Sequence, residues 1–275
     1  MMGIPRFLPS AIVLCLAWGG IATSRADTLT IPGGGLPQAT LQGLAAAFNA
    51  RHPEIEIRLP PSSGNAGAVR AVKRGEASLG RVSRRLTPEE ISSGLREVVY
   101  AKDAVIFGVG AKVDVTGLSG RQLADIFSGS TVDWGQLGGS PAPIRVLIRE
   151  PTETGYAVIK SRMPAFGDLK LLDNSKLANS DTDLIDLLDK YKRAVGWLTA
   201  ASLRASKSGA KALAVDGIAP TPENLDNGRY TLFVERALIY REAYLSPAAK
   251  KFIAFVLSEE GRRILRQSDL VPVAR

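Results

Sequence analysis

The chain has 275 residues, 45% of them hydrophobic, with a formal charge of +8, one cysteine and one histidine. A single cysteine leaves no disulfide framework, so an apolar core must hold the fold. One histidine, no metal-ligand spacing and no G-x-S-x-G elbow leave no constellation that argues for an enzyme, a metal or a cofactor. The cations are spread along the chain, which is not the clustered footprint of a nucleic-acid binder.

The first segment, MMGIPRFLPSAIVLCLAWGGIATSRADT, carries one early cation at Arg6, an apolar stretch over 7–18, and then small residues. Ser24 and Ala26 are spaced as a cleavage site, so residues 1–26 read as a secretory signal peptide. The apolar stretch falls short of the roughly 20 residues that span a bilayer. Cleavage removes Cys15, Arg6 and Arg25, leaving 249 of the 275 residues with a charge of +6. The expected location is the periplasm, and export is a second argument against nucleic acid. A basic exported protein suits a solvated surface, an acidic envelope surface or small anions.

Short apolar runs follow at TLTIP (28–32), IEIRLP (55–60), ASLGRVS (77–83), AVIFGVG (104–110), IRVLIRE (144–150), AVGWLTA (194–200) and KALAV (211–215). Each is bounded by turn residues and reads as a buried strand. Helical patterns lie between them. Leu41, Leu44, Ala45 and Phe48 share one helix face. Thr87 with Glu90, and Ser119 with Gln122, read as capping boxes. The acidic positions Asp181, Asp183, Asp186 and Asp189 read as a solvated helix face, and His52, before Pro53, as a surface residue. Ser246-Pro247 starts a last helix with Phe252, Phe255 and Val256 inward, and its pattern runs on through Gly261 into RRILRQ. This alternation predicts an α/β fold with mainly parallel sheets.

Ligands of open α/β sheets sit beyond the carboxyl ends of strands, where helices begin. Three loops have that address: PGGG (32–35), PPSSGNAG (60–67) and EPTETG (150–155). Glycines allow close backbone approach, and helix starts point N–H groups outward, so converging loops of this kind suit a small anion. Arg149, just before the third loop, fits an anion, whereas the carboxylate of Glu153 opposes one.

With these loops placed, most of residues 28–273 resembles the periplasmic phosphate-binding proteins of bacterial ABC uptake transporters. The resemblance rests on SSGNAGAVRAVKRGEASLGRVSRRL (62–86), LSGRQLADIFSGSTVDWGQLGG (118–139), IRVLIRE (144–150), AVGWLTAASL (194–203), KALAVDGIAPTPENLDNGRYTLFVERALIY (211–240) and AAKKFIAFVLSEEGRRILRQSDLVPV (248–273), in order. It implies a two-lobed periplasmic binding protein fold, type II-like, with the ligand in the cleft and closure by a hinge. Residues 27–103 plus 216–275 would form one lobe and 104–215 the other. It also implies an inner-membrane ABC permease as partner, and a monomer. The alternative is a non-transport envelope sensor or interaction protein on the same fold.

The family's ligand residues carry over unevenly. Where its first loop supplies hydroxyls, this chain has Gly34, Gly35 and Leu36, which offer only backbone donors. In the second loop Asn65 or Ala66 stands in the place of the family's serine, with Ser63 nearby and Gly64 as a backbone donor, and the place of the family's aspartate, which accepts a phosphate proton, is read as Ser78. Arg149 is kept, but Glu153-Thr154-Gly155 replaces the family's Ser-Gly-Thr, with Thr152 before it. Arg81 stands at a usually apolar place. It is either a solvent-facing strand residue or, with Arg84, a compensating anion clamp. Glu153 is open to four readings: a helix cap, a partner for Arg81, Arg84 or Arg149, an acceptor for a phosphate proton, or a sign of a ligand that is not a bare anion. The expected ligand is inorganic phosphate or a related oxyanion, held noncovalently with Arg149 as anchor.

Overall fold

The computed structural model describes residues 27–34 and 38–273; the expected signal peptide, Gly35 and Leu36 lie outside the described residues. Asp27–Thr30 pairs in parallel with Ile55–Arg58, and the helix Gln38–Arg51 connects them. Leu41, Leu44, Ala45 and Phe48 of that helix are buried together, as their spacing predicts. Both expected capping boxes form: Thr87 and Glu90 bond each other's backbone, as do Ser119 and Gln122. Each starts a helix by satisfying N–H groups that have no partner within it.

The main sheet runs, edge to edge, Gly80–Val82, Phe233–Arg241, Leu95–Val109, Ala194–Thr199, Arg145–Ile148 and Lys176–Leu177. Its strand senses are mixed, not mainly parallel. Arg145–Ile148 pairs in parallel with both its neighbours, but Leu95–Val109 and Phe233–Arg241 pair antiparallel with each other and with the strands beside them. The reason is their length. Leu95–Val109 has 15 residues, which at about 3.3 Å each reach some 50 Å. One end packs with Leu95 in a core built on Ala68, Val72 and Ile239, and the other puts Ala104–Val109 residues into a core around Phe107, Phe127 and Trp197. Phe233–Arg241 runs back alongside, so the chain crosses between the cores on two antiparallel strands.

The second core also takes Leu225, Tyr230, Leu232 and Val234 from the returning segment. A third cluster, on Phe48, Phe252 and Phe255, joins the first helix to the C-terminal ones. The expected continuous last helix is two: Pro247–Val256, and Glu259–Gln267 capped by Ser258, whose hydroxyl accepts from Gly261 N–H. The break is made by Ser258, and Gly261 is where a side chain would press on the carbonyls of Phe255 and Val256. Among the described residues no helix is long and apolar enough to cross a membrane.

Candidate functional site

A cleft of about 760 Å³, lined mainly by residues with polar side chains, opens beside the long strand Phe233–Arg241. Seven of the expected site residues line it: Gly34, Gly64, Asn65, Arg149, Thr152, Glu153 and Thr154. Ser62, Ser83, Asp181, Thr199, Ser202 and Arg236 line it as well.

One wall is built on the first two loops and the strand Gly80–Val82. Gly33 takes φ +139°, where a side chain would run into the Arg81 carbonyl, so the loop closes tightly on that strand. The Gly34 N–H expected to face a ligand instead donates to Arg81 O at 3.0 Å. Arg81 is neither solvent-facing nor a clamp on the cleft. The residue is 2% exposed, and its guanidinium donates to the backbone carbonyls of Gly34 (2.7 Å), Pro60 (2.7 Å) and Ile31. It ties the two loops together from beneath, and with no carboxylate in contact among the described residues, burial lowers its pKa. Arg84 is held by Glu90 through both terminal nitrogens, each at 2.8 Å, and does not line the cleft.

Ser63 and Ser78 are not on the cleft lining. Ser63 precedes the helix Gly64–Lys73 without a side-chain cap bond. The hydroxyl that the strand brings to the cleft is Ser83, five residues beyond Ser78. Its N–H donates to Asn65 Oδ1 at 2.9 Å, and its Oγ accepts from Arg236 Nη1 at 2.6 Å. Asn65 Nδ2 reaches across the cleft to Thr154 Oγ1 at 3.1 Å. The backbone donor at Oδ1 fixes which way the amide faces.

The opposite wall carries Arg149, 7% exposed, ion-paired to Asp181, 2% exposed. Asp181 also accepts from the N–H and the hydroxyl of Thr199, each at 2.9 Å. Glu153 pairs with no arginine among the described residues. It caps its own helix, Thr154–Arg162, with Oε2 accepting from Tyr156 N–H at 3.0 Å. A side chain at Gly155 would lie 2.8 Å from that oxygen, so glycine lets the carboxylate fold over the helix start. Beneath both walls Arg236 and Asp103, 1% and 0% exposed, pair at 2.5 Å. The Nε atoms of Arg149 and Arg236 are buried without a partner among the described residues.

Sequence reasoning missed Ser83, Asp103, Asp181, Thr199 and Arg236. Asp181 was assigned to a solvated face, but it is the first residue of its helix and is turned inward. Arg236 alternates with Val234 and Leu238, all buried. A charge at an inward strand position, with Asp103 likewise set in an apolar run, is the signal that could have found the pair.

Two cores joined by long crossing strands, with a cleft of hydroxyls and buried arginines beside them, define a two-lobed solute-binding protein. The family model for the PBP superfamily domain matches residues 21–260, and the chain belongs to that superfamily. Among solved structures, a putative phosphate ABC transporter substrate-binding protein with bound phosphate from Clostridium perfringens is 27% identical with a TM-score of 0.80, over 90% of this chain and 100% of that one. Phosphate-binding protein PstS of Borreliella burgdorferi is 25% identical over 197 residues, 70% of this chain and 71% of that protein. PstS of Bacillus subtilis is 24% identical over 258 residues, 90% of this chain and 81% of that one. The resemblance to phosphate-binding proteins is therefore upheld.

Proposed function

We propose that this protein is the solute-binding component of an ABC uptake system and holds phosphate or a related oxyanion, noncovalently, in the cleft. The observation that carries the reading is a buried charge imbalance. Arg81, Arg149 and Arg236 are buried around the cleft, whereas the buried carboxylates there are two, Asp103 and Asp181. Charge left over in a low-dielectric setting is costly unless it is answered. A bound anion would answer it, aided by the hydroxyls of Ser83 and Thr154 and by the start of helix Gly64–Lys73, where Ser63 makes no cap bond.

Arg149 is the anchor in this reading, lining the cleft with an unpartnered Nε, and Arg81 acts from beneath through Gly34. The named activity of the relatives from Borreliella burgdorferi and Bacillus subtilis supports it. We place the protein in the periplasm, delivering ligand to a membrane permease. The lobes divide at residues 103/104, and we place the return to the first lobe after Val234, not at the expected 215/216, because Leu225, Tyr230, Leu232 and Val234 pack in the second core; the lobes close by bending of the two long strands. Calorimetric titration with phosphate, sulfate, arsenate and molybdate tests the proposal. Saturable binding of at least one is expected, and silence from all of them at millimolar concentration would end it.

A further inference from the structure

The protonation state of an oxyanion decides what its site must offer. A ligand oxygen that carries a proton needs an acceptor, while a fully ionised ligand needs only donors. Around this cleft each buried side-chain acceptor named below already takes at least one donor. Arg236 Nη1 donates to Ser83 Oγ at 2.6 Å, and Asn65 Nδ2 donates to Thr154 Oγ1 at 3.1 Å. An N–H aimed at a hydroxyl oxygen turns the hydroxyl's own proton away from it, so both hydroxyls keep a proton for a third party. Asn65 Oδ1 accepts from Ser83 N–H. Asp181 accepts from Arg149 and twice from Thr199, and Asp103 from Arg236 and from Ala201 N–H at 3.2 Å.

Charge gives an independent indication. Arg149 and Arg236 each have a buried carboxylate, but Arg81, among the described residues, has only carbonyl partners. One buried positive charge therefore stands uncompensated beneath Gly34. The other carboxylates on the cleft lining are Glu150, Glu153 and Asp186. Glu150 and Asp186 are exposed, where water screens them, and half-buried Glu153 turns Oε2 to Tyr156 N–H, which leaves its Oε1 able to accept.

Taking the oxyanion reading above as its basis, we propose that the cleft is a site in which donors dominate over acceptors, with Ser83, backed by Arg236, as its specificity-determining residue. It takes tetrahedral oxyanions as dianions, sulfate with no proton as well as monohydrogen phosphate with one. Sulfate has no proton to donate and loses nothing in such a site, whereas phosphate gains by shedding its second proton.

Competition calorimetry with inorganic phosphate and sulfate tests this on the intact protein. Sulfate is expected to bind within about a hundredfold of phosphate, and the phosphate affinity is expected to rise through the second ionisation of phosphate while that of sulfate stays flat. Ser83→Asp adds an acceptor beside Arg236 and is expected to weaken sulfate by about a hundredfold or more relative to phosphate. If that variant does not fold, the wild-type ratio decides. Phosphate bound with sulfate more than about a hundredfold weaker would overturn the inference and leave the phosphate reading standing. So would a phosphate preference that disappears in Glu153→Gln, since it would make Glu153 the acceptor. Failure of both anions to bind would instead remove the oxyanion reading and the inference with it.

Discussion

Two helix starts bracket the cleft, and they are built in opposite ways. Gly64–Lys73 begins after Ser63, which makes no side-chain cap bond, and Gly64 sits at φ +68°, where glycine is unstrained. Thr154–Arg162 begins under its own carboxylate, Glu153. A helix N-terminus favours negative charge by about 0.3–1 kcal/mol. The second helix answers that preference with a charge from within the chain; the first has only the neutral Ser62 hydroxyl, which accepts from Gly64 N–H at 3.3 Å, and leaves the rest for whatever enters the cleft. A glycine-rich or hydroxyl-rich loop before a helix is therefore insufficient evidence of an anion site, because a single residue at the cap can fill it. What the capped side contributes is different: the Arg149 guanidinium and the Thr154 hydroxyl, which Asn65 holds from across the cleft.

The largest expected effect breaks the foundation that both walls share. Asp103→Ala strands the Arg236 guanidinium in the interior, and removing one partner of a buried pair costs about 3–5 kcal/mol. Urea unfolding measures it, and a loss under about 1 kcal/mol would mean that water reaches the pair. Next, Arg149→Ala removes the charged anchor of the capped wall. Phosphate binding is expected to weaken by about a hundredfold, near 3 kcal/mol, with partial recovery in Arg149→Lys. Unchanged affinity would move the anchor to another residue.

Asn65→Ala acts on the opposite wall. It removes the acceptor for Ser83 N–H and the bond to Thr154, and about a tenfold loss of phosphate affinity is expected by calorimetry. The smallest effect sharpens the contrast between the helix starts. Glu153→Gln keeps the cap geometry but removes the charge, so affinity for phosphate and sulfate should rise together by about threefold. A fall for both anions would show that the carboxylate assists binding.

Much of the fold was legible because it is local. The capping residues Thr87, Ser119 and Ser246 name their own helix starts, and Leu41, Leu44, Ala45 and Phe48 name a buried face. The third loop could be placed for the same reason: an apolar run, an arginine, a short loop and a helix start follow one another directly. The pairings beneath the site could not. Ser83 meets Arg236 from 153 positions away, and Asp103 meets it from 133. Periodicity carries no information at such distances. Arg81 was misread for a related reason. A strand residue of unknown facing has two possible environments, and neither alternative included a guanidinium turned inward onto three carbonyl oxygens. The strand senses depended on the crossing of two long strands, which an alternation of runs does not encode.

The most direct test of the account is a crystal structure of the protein grown with phosphate. The account predicts one tetrahedral anion in the cleft, accepting from Arg149, from the hydroxyls of Ser83 and Thr154, and from the start of helix Gly64–Lys73. An anion bound elsewhere, or a cleft in which Arg149 faces only Asp181 and water at saturating phosphate, would contradict it.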